Sequence, residues 1–402
     1  MSILNGIRVI DCGTYIAAPA AASILSDFGA EVVKVEHPRG GDPYRRLGAV
    51  PGMPVSSHNY CWILDARNRR SLALDLSRDE GRGILIKLAA SADVFITNFQ
   101  PDLVARFHMS YEDLSAVNPR LIYAYVTGYG EQGGEAGKPG YDTTAYWARS
   151  GLMGLMHNAD TEPTLAPAGF GDHPTATSLF GAIMLGLYQR EQTGKGARVS
   201  TSLMASGAWS NSCQIQAAHC GAEFPLQRTR STTINPLVNH YVTRDGFRFI
   251  LCCLDPRQDW PRLCHALGFR EMIGNPRFHA FKARTEHSRE LTELLDRVIG
   301  ALDMAQCEKL FKEHGVVWGP VPGPVEAARD EQMQRNGVFP ELDQAQGGPL
   351  RTVDSPMRVD GVQKRKPAMA PEIGQHSREV LIELGFSEEE VAALVAAGAV
   401  GA

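Results

Sequence analysis

No apolar run in this sequence approaches the roughly 20 residues needed to span a bilayer. The opening stretch MSILNGIRVIDCG lacks a basic segment, an apolar segment and a small-residue cleavage site, so it reads as an immediate first strand rather than a secretory signal. Basic charge is not in excess either. The net charge is −5, which provides no general attraction for nucleic acid or an anionic membrane, so an anionic ligand would have to be held locally. The eight cysteines are scattered without a CxxC pair. In a chain of this size that pattern favours buried thiols in a reducing compartment over a disulfide framework, and the cytoplasm is the expected location. No Cys/His cluster has ligand spacing, so no metal site is expected. Phosphate loops are missing as well. The first β–α turn, Asp11-Cys12-Gly13-Thr14-Tyr15-Ile16-Ala17, is not GxGxxG, and Gly194-Lys195-Gly196 lacks the upstream glycine and the Ser/Thr of a P-loop.

What remains is a globular composition, with 44% hydrophobic and 21% charged residues over 402 positions, enough for two domains or one interrupted domain. Short β-branched runs at Ile7–Asp11, Glu31–Glu36, Val94–Thr97 and Leu121–Val126 alternate with helical stretches at Ala17–Phe28 and Glu80–Ala89. That alternation predicts an α/β, Rossmann-like large domain of parallel strands with helices on both faces and ligands at the carboxyl ends of the strands. Apolar residues at Ala176, Leu179, Phe180, Ile183, Met184, Leu187 and Tyr188 predict an amphipathic helix over Thr175–Tyr188, closed by the turn at Gly194. The large domain is expected over 1–224, a polar, Pro-interrupted linker over 225–240, a smaller α+β domain over 241–325, and a linker with return to the large domain over 326–402. Ser387 and Glu390 form a capping-box pattern ahead of the last helix.

Asp172 stands in Gly169-Phe170-Gly171-Asp172-His173-Pro174, directly ahead of the amphipathic helix. Its ordinary role there is an N-cap. The alternative is a carboxylate presented from a glycine-rich loop as a covalent nucleophile, which splits one difficult acyl transfer into two easier steps. Arg67-Asn68-Arg69-Arg70, just before the strand Ser71–Leu76, is a solvated face or a phosphate clamp. Asn98-Phe99-Gln100-Pro101 with Arg106 follows a strand end, where ligands bind. His108, His173 and His376 are isolated and read as structural.

These stretches in order resemble the class III coenzyme A transferase family. The match runs through Tyr15-Ile16-Ala17-Ala18-Pro19, Phe28–Glu36, Gly40–Arg45, Asn68–Ser71, Asn98-Phe99, Asn118–Ile122 and Gly128-Tyr129-Gly130. It continues through Lys138–Asp142, Gly171-Asp172 and Thr193–Gly196, with Gly374–Ser377 near the end. The resemblance implies a large domain built from both chain ends, two subunits interlocked as rings, and an activity moving CoA from an acyl-CoA thioester to a carboxylic acid. Under it Asp172 becomes the nucleophile, passing through an anhydride and an aspartyl-CoA thioester. CoA contacts are implied at His37, Arg69, Arg70, Asn98, Phe99 and Arg106. Ile16 and Tyr141 are implied beside the reacting group, and Ile16 replaces a Gln of some relatives. CoA would be substrate and product, with no permanent cofactor and no nucleic-acid or membrane partner. The same superfamily holds α-methylacyl-CoA racemases, whose Gly-His-Asp stretch reads Gly140-Tyr141-Asp142 here. A phenol, ordinarily titrating near pH 10, is a poor base for racemisation, which favours transfer.

Overall fold

The computed structural model describes residues 2–255, 257–343 and 349–401. Pro256 of the expected small domain and residues 344–348 of the expected return stretch lie outside the described residues. The chain divides into two compact units. One comprises Met1–Leu155, Leu165–Cys220 and Met333–Ala402; the other comprises Met156–Thr164 and Gly221–Gln332.

The first unit holds β1 (Arg8–Asp11), α1 (Ala17–Asp27), β2 (Glu31–Glu36), α2 (Tyr60–Ala66), β3 (Arg69–Leu74), α3 (Asp79–Ala89), β4 (Val94–Thr97), α4 (Pro101–Arg106), α5 (Tyr111–Val117), β5 (Ile122–Thr127), α6 (Leu152–Leu155), α7 (Asp172–Thr193) and β6 (Ala197–Ser202). A seven-stranded sheet runs β3-β2-β1-β4-β5-β6, all parallel, with β10 (Val400–Gly401) antiparallel on β3 at the edge. Both chain ends thus share one sheet. His376 and Ser377 secure the return: the His376 ring accepts from the Ser71 N–H at 3.1 Å and the Ser377 hydroxyl accepts from the Ala73 N–H at 3.1 Å.

Each face of the sheet carries its own core, as parallel strands buried on both sides require. Val9, Val32, Val94, Ile96, Ile122 and Ala124 pack under α1 and α7. Ile10, Val33, Leu72, Phe95 and Tyr123 pack under helices of the other face. Every residue of α1 is buried. Its alanines permit this, because a helix pressed between sheet and α7 has no room for a solvated face. The αL residue Gly194 ends α7 with φ +72°.

The second unit has a three-stranded antiparallel sheet of β7 (Val238–Val242), β8 (Arg248–Cys252) and β9 (Trp318–Pro320). Its own core joins Phe249, Phe311, Leu263, Leu291 and Leu295 to this sheet. Strand β7 begins inside the stretch 225–240 expected to be linker. Its buried side chains are Asn239 and Tyr241, so hydropathy does not mark it. All eight cysteines are free, but Cys213, Cys220 and Cys252 are exposed, which corrects the expectation of uniformly buried thiols. Among the described residues, no helix is long and apolar enough to cross a membrane.

Candidate functional site

Strand order reverses at β1, whose neighbours β2 and β4 lead away in opposite directions. A crevice opens at such a switch point, beyond the carboxyl ends of the strands. The loop after β1 and the loop after β4 are joined there. The Asn98 side chain accepts from the Thr14 N–H at 2.8 Å and donates to the Thr14 carbonyl at 2.9 Å. Buried charges underneath hold the β1 loop: Lys34 lies 2.7 Å from Asp42 and 3.5 Å from Asp11. Asp42 also accepts from the Tyr15 N–H at 3.0 Å. This fixes Tyr15 at φ 61°, a left-handed conformation that a bulky residue rarely adopts and that tends to mark functional loops.

A cavity of about 210 Å³ lies over this crevice and gathers Tyr15, Ile16, Asn98, Phe99, Tyr141 and Asp172. The Tyr15 and Tyr141 rings meet edge-on at 5.8 Å. Asp172 is the first residue of α7, and the cap position belongs to Gly171. The Asp172 carboxylate caps nothing, and among the described residues it receives no hydrogen bond. Two glycines bring it there. Gly169 has φ +81°, and a Cβ at Gly171 would lie 2.5 Å from the Tyr146 ring. The buried Asp142 carboxylate accepts from the Gly171 N–H at 3.4 Å and from the Thr143 N–H at 2.7 Å, tying the loop down. Burial, and then the nearby Asp142 charge, push the Asp172 carboxyl from 3.8 up to about 7, while the adjacent His173 pulls it back.

Five of the sequence-expected positions, Ile16, Asn98, Phe99, Tyr141 and Asp172, therefore converge; the other four do not line this cavity. His37 lies just past β2, exposed, with Nε2 3.9 Å from Asp75. Arg106 ends α4, exposed, its guanidinium 5.8 Å from the Phe107 ring, which meets Phe99 edge-on. Arg69 and Arg70 begin β3 rather than precede it, which places their backbone at the amino end of the parallel sheet. Arg69 is buried and spends its guanidinium on the Asp11 carboxylate, the Pro19 carbonyl and the Ser23 hydroxyl, so it braces β1 and α1 instead of offering a free fork. Arg70 pairs with Glu379 at 2.9 Å and Glu383 at 2.7 Å beside a different cavity. Sequence reasoning did not single out Tyr15, Asp142 or the partnership of His173 with Asp65, 108 residues away.

Residues 4–377 match the model of CoA-transferase family III. The chain belongs to that family. It is 30% identical over 393 residues to the (R)-2-hydroxy-4-methylpentanoate CoA-transferase of Clostridioides difficile, covering 97% of each chain. It is 29% identical over 396 residues to the cinnamoyl-CoA:phenyllactate CoA-transferase of Clostridium sporogenes, covering 97% of this chain and 95% of that one. The crystal structure of a CaiB/BaiF family protein from Brucella suis superposes with a TM-score of 0.83 at 27% identity, over 95% of this chain and 99% of that one. The parallel-dominant sheet with a smaller antiparallel sheet is the fold of that protein. The chain is thus a CoA-transferase of family III, an enzyme of acyl-CoA metabolism whose substrates are CoA thioesters and carboxylic acids.

Proposed function

We propose that this enzyme transfers CoA through covalent intermediates on Asp172. The observation that carries the reading is a carboxylate without a hydrogen-bond partner, set into a cavity at the switch point by one glycine with positive φ, Gly169, and one with no room for a side chain, Gly171. A carboxylate whose lone pairs are uncommitted is free to attack. One Asp172 oxygen adds to the donor thioester carbonyl and the C–S bond breaks, giving a mixed anhydride and CoA thiolate. The thiolate adds to the aspartyl carbonyl, releasing the donor acid as carboxylate and leaving aspartyl-CoA thioester. The acceptor carboxylate then displaces the thiolate, and the thiolate attacks the acceptor's acyl carbonyl, regenerating the Asp172 carboxylate. Every displacement exchanges an anion for an anion, so no net proton or electron is consumed.

In this reading Ile16 and Tyr141 border the reacting acyl group, Asn98 and Phe99 the pantetheine arm, and His37 and Arg106 the nucleotide end along the carboxyl edge of the sheet. Arg69 and Arg70 have no part in it. An epimerase would need a second base across the α-carbon, and the candidate position is a tyrosine, Tyr141. The exposed apolar residues Leu185, Tyr188 and Trp209, on α7 and on α8 (Leu203–Ser210), support a homodimer that covers them, which the family resemblance would make interlocked. The test is CoA exchange between a panel of acyl-CoAs and free acids, followed by mass spectrometry. Asp172→Ala should lose exchange by at least about 10³-fold with its circular dichroism unchanged. A folded variant that retains near-normal exchange would refute the role.

A further inference from the structure

The histidine next to the nucleophile is wedged between two acceptors. His173 Nδ1 lies 3.0 Å from the Gly169 carbonyl oxygen, and Nε2 lies 3.2 Å from the Asp65 carboxylate. A carbonyl oxygen can only accept, and so can a carboxylate, so each ring nitrogen must carry a proton; only the imidazolium satisfies both. The surroundings enforce this orientation. Gly169 has φ +81°, and a Cβ there would sit 3.2 Å from the ring, so the loop passes this close only because the residue is glycine. On the far side, the buried Tyr44 hydroxyl donates to the other Asp65 oxygen at 2.6 Å, which aims the carboxylate at the ring. Burial and the Asp65 charge hold the Tyr44 phenol well above its usual range, so it remains a donor.

We propose that His173 is a positioning residue, a fixed imidazolium held by Asp65 and the Gly169 carbonyl, whose charge keeps Asp172 ionised and ready to attack. The proposal rests on the reading of Asp172 as nucleophile. Its need is electrostatic. Burial disfavours the Asp172 charge most, and the carboxylates of Asp142, tied to its loop, and Asp65, behind His173, disfavour it further. Without that cation a larger share of the nucleophile would be protonated at neutral pH. The amino end of α7 opposes a cation at its second residue, whereas the Asp65 and Asp172 charges favour it. The groups facing His173 and its anchor are Asp172 on α7, Asp65 and Cys61 on α2, Tyr44, and the charges of Arg67 and Arg69 that reach Asp65, while Asp142 acts on Asp172. Burial pulls the imidazole down, but the hydrogen bond and charge of Asp65, with the Gly169 carbonyl and the Asp172 charge, outweigh that and raise it from 6.5 to about 9, in line with the geometry.

The experiment is the pH profile of kcat/KM for CoA exchange in the wild-type enzyme and in His173→Gln, with His173→Asn as a second neutral replacement. Activity requires ionised Asp172, so removing the cation should move the acid limb up by about one unit. That is roughly a tenfold loss at pH 6 that recovers to within about twofold at pH 9. A merely structural histidine would lower the whole profile and leave the limb in place, and that result overturns the proposal. Nitrogen-15 spectra of the histidine-labelled wild-type enzyme provide a readout that needs no variant. Both ring nitrogens of His173 should be protonated at pH 8, and a neutral ring there also overturns the proposal. Trapping with hydroxylamine after adding acyl-CoA alone separates the two claims. No Asp172 hydroxamate at any pH defeats the nucleophile reading, whereas a hydroxamate with an unmoved limb defeats only the role of His173.

Discussion

Replacing Asp172 by Asn should stabilise the enzyme while inactivating it, and the gain should depend on pH in a specified direction. The carboxyl titrates at about 7 in the folded chain against an ordinary 3.8, chiefly because burial penalises its charge. A group whose folded value is raised binds its proton more tightly in the native state, so folding is favoured below pH 3.8. That advantage is lost progressively as pH rises from 3.8 to about 7. A shift of about three units at ~1.4 kcal/mol each makes the ionised side chain costly by up to about 4 kcal/mol above pH 8. Asn is neutral at every pH and nearly isosteric, so it escapes that cost. Urea or thermal unfolding of both proteins at pH 5 and pH 8.5 measures the difference. The Asn variant should lead by roughly 1.6 kcal/mol at pH 5, where the unfolded carboxyl is already ionised, and by about 4 kcal/mol at pH 8.5. A gap of the same size at both pH values, or a less stable variant at pH 8.5, would refute the reasoning that links burial to the nucleophile's charge.

Two further outcomes distinguish the arginines. Arg69→Met should destabilise the first unit by about 3 kcal/mol, the lower end for breaking a buried pair because Lys34 still faces Asp11, and should leave the donor KM unchanged. A raised KM with normal unfolding would restore Arg69 as a phosphate clamp. Arg106→Ala should raise the donor KM by about tenfold and leave kcat within about twofold, because a contact to the remote phosphates binds ground state and transition state alike. Steady-state kinetics at saturating acceptor decide it, and an unchanged KM removes Arg106 from the nucleotide site.

The sequence was readable wherever local chemistry alone decides structure. The β-branched runs Glu31–Glu36 and Val94–Thr97 became strands with those bounds, and the Ser387–Glu390 capping box closes as expected, with the Ser387 N–H donating to Glu390 at 2.7 Å. The helix expected over Thr175–Tyr188 is longer, Asp172–Thr193, so Asp172 is its first residue and Gly171 rather than Asp172 takes the cap position. What failed was anything set by distant partners. Arg69 and Arg70 looked like a loop cluster because two charged residues seldom open a buried strand. They do so here because Asp11, 58 positions away, neutralises one, and Glu379 and Glu383 pair with the other. Strand β7 was hidden because it buries Asn239, whose amide donates to the Arg230 carbonyl at 3.1 Å and so satisfies its polarity internally. His173 read as an isolated side chain because Asp65 and Tyr44, the residues that give it a role, are brought to it only by the packing of α1, α2 and α7.

The central claim is that CoA passes through a bond to one side chain, and the most direct measurement is to look for that bond. Enzyme incubated with acyl-CoA and no acceptor should accumulate the aspartyl-CoA thioester, because the expelled thiolate is held beside the anhydride by its nucleotide end and recapture outruns escape. Borohydride should then reduce Asp172 to the alcohol, and hydroxylamine should convert it to the hydroxamate. Peptide mapping would show two different mass shifts on the peptide bearing residues 169–174, together with irreversible loss of activity. An unmodified Asp172 after donor and either trapping agent, in enzyme that was active beforehand, would contradict the covalent route.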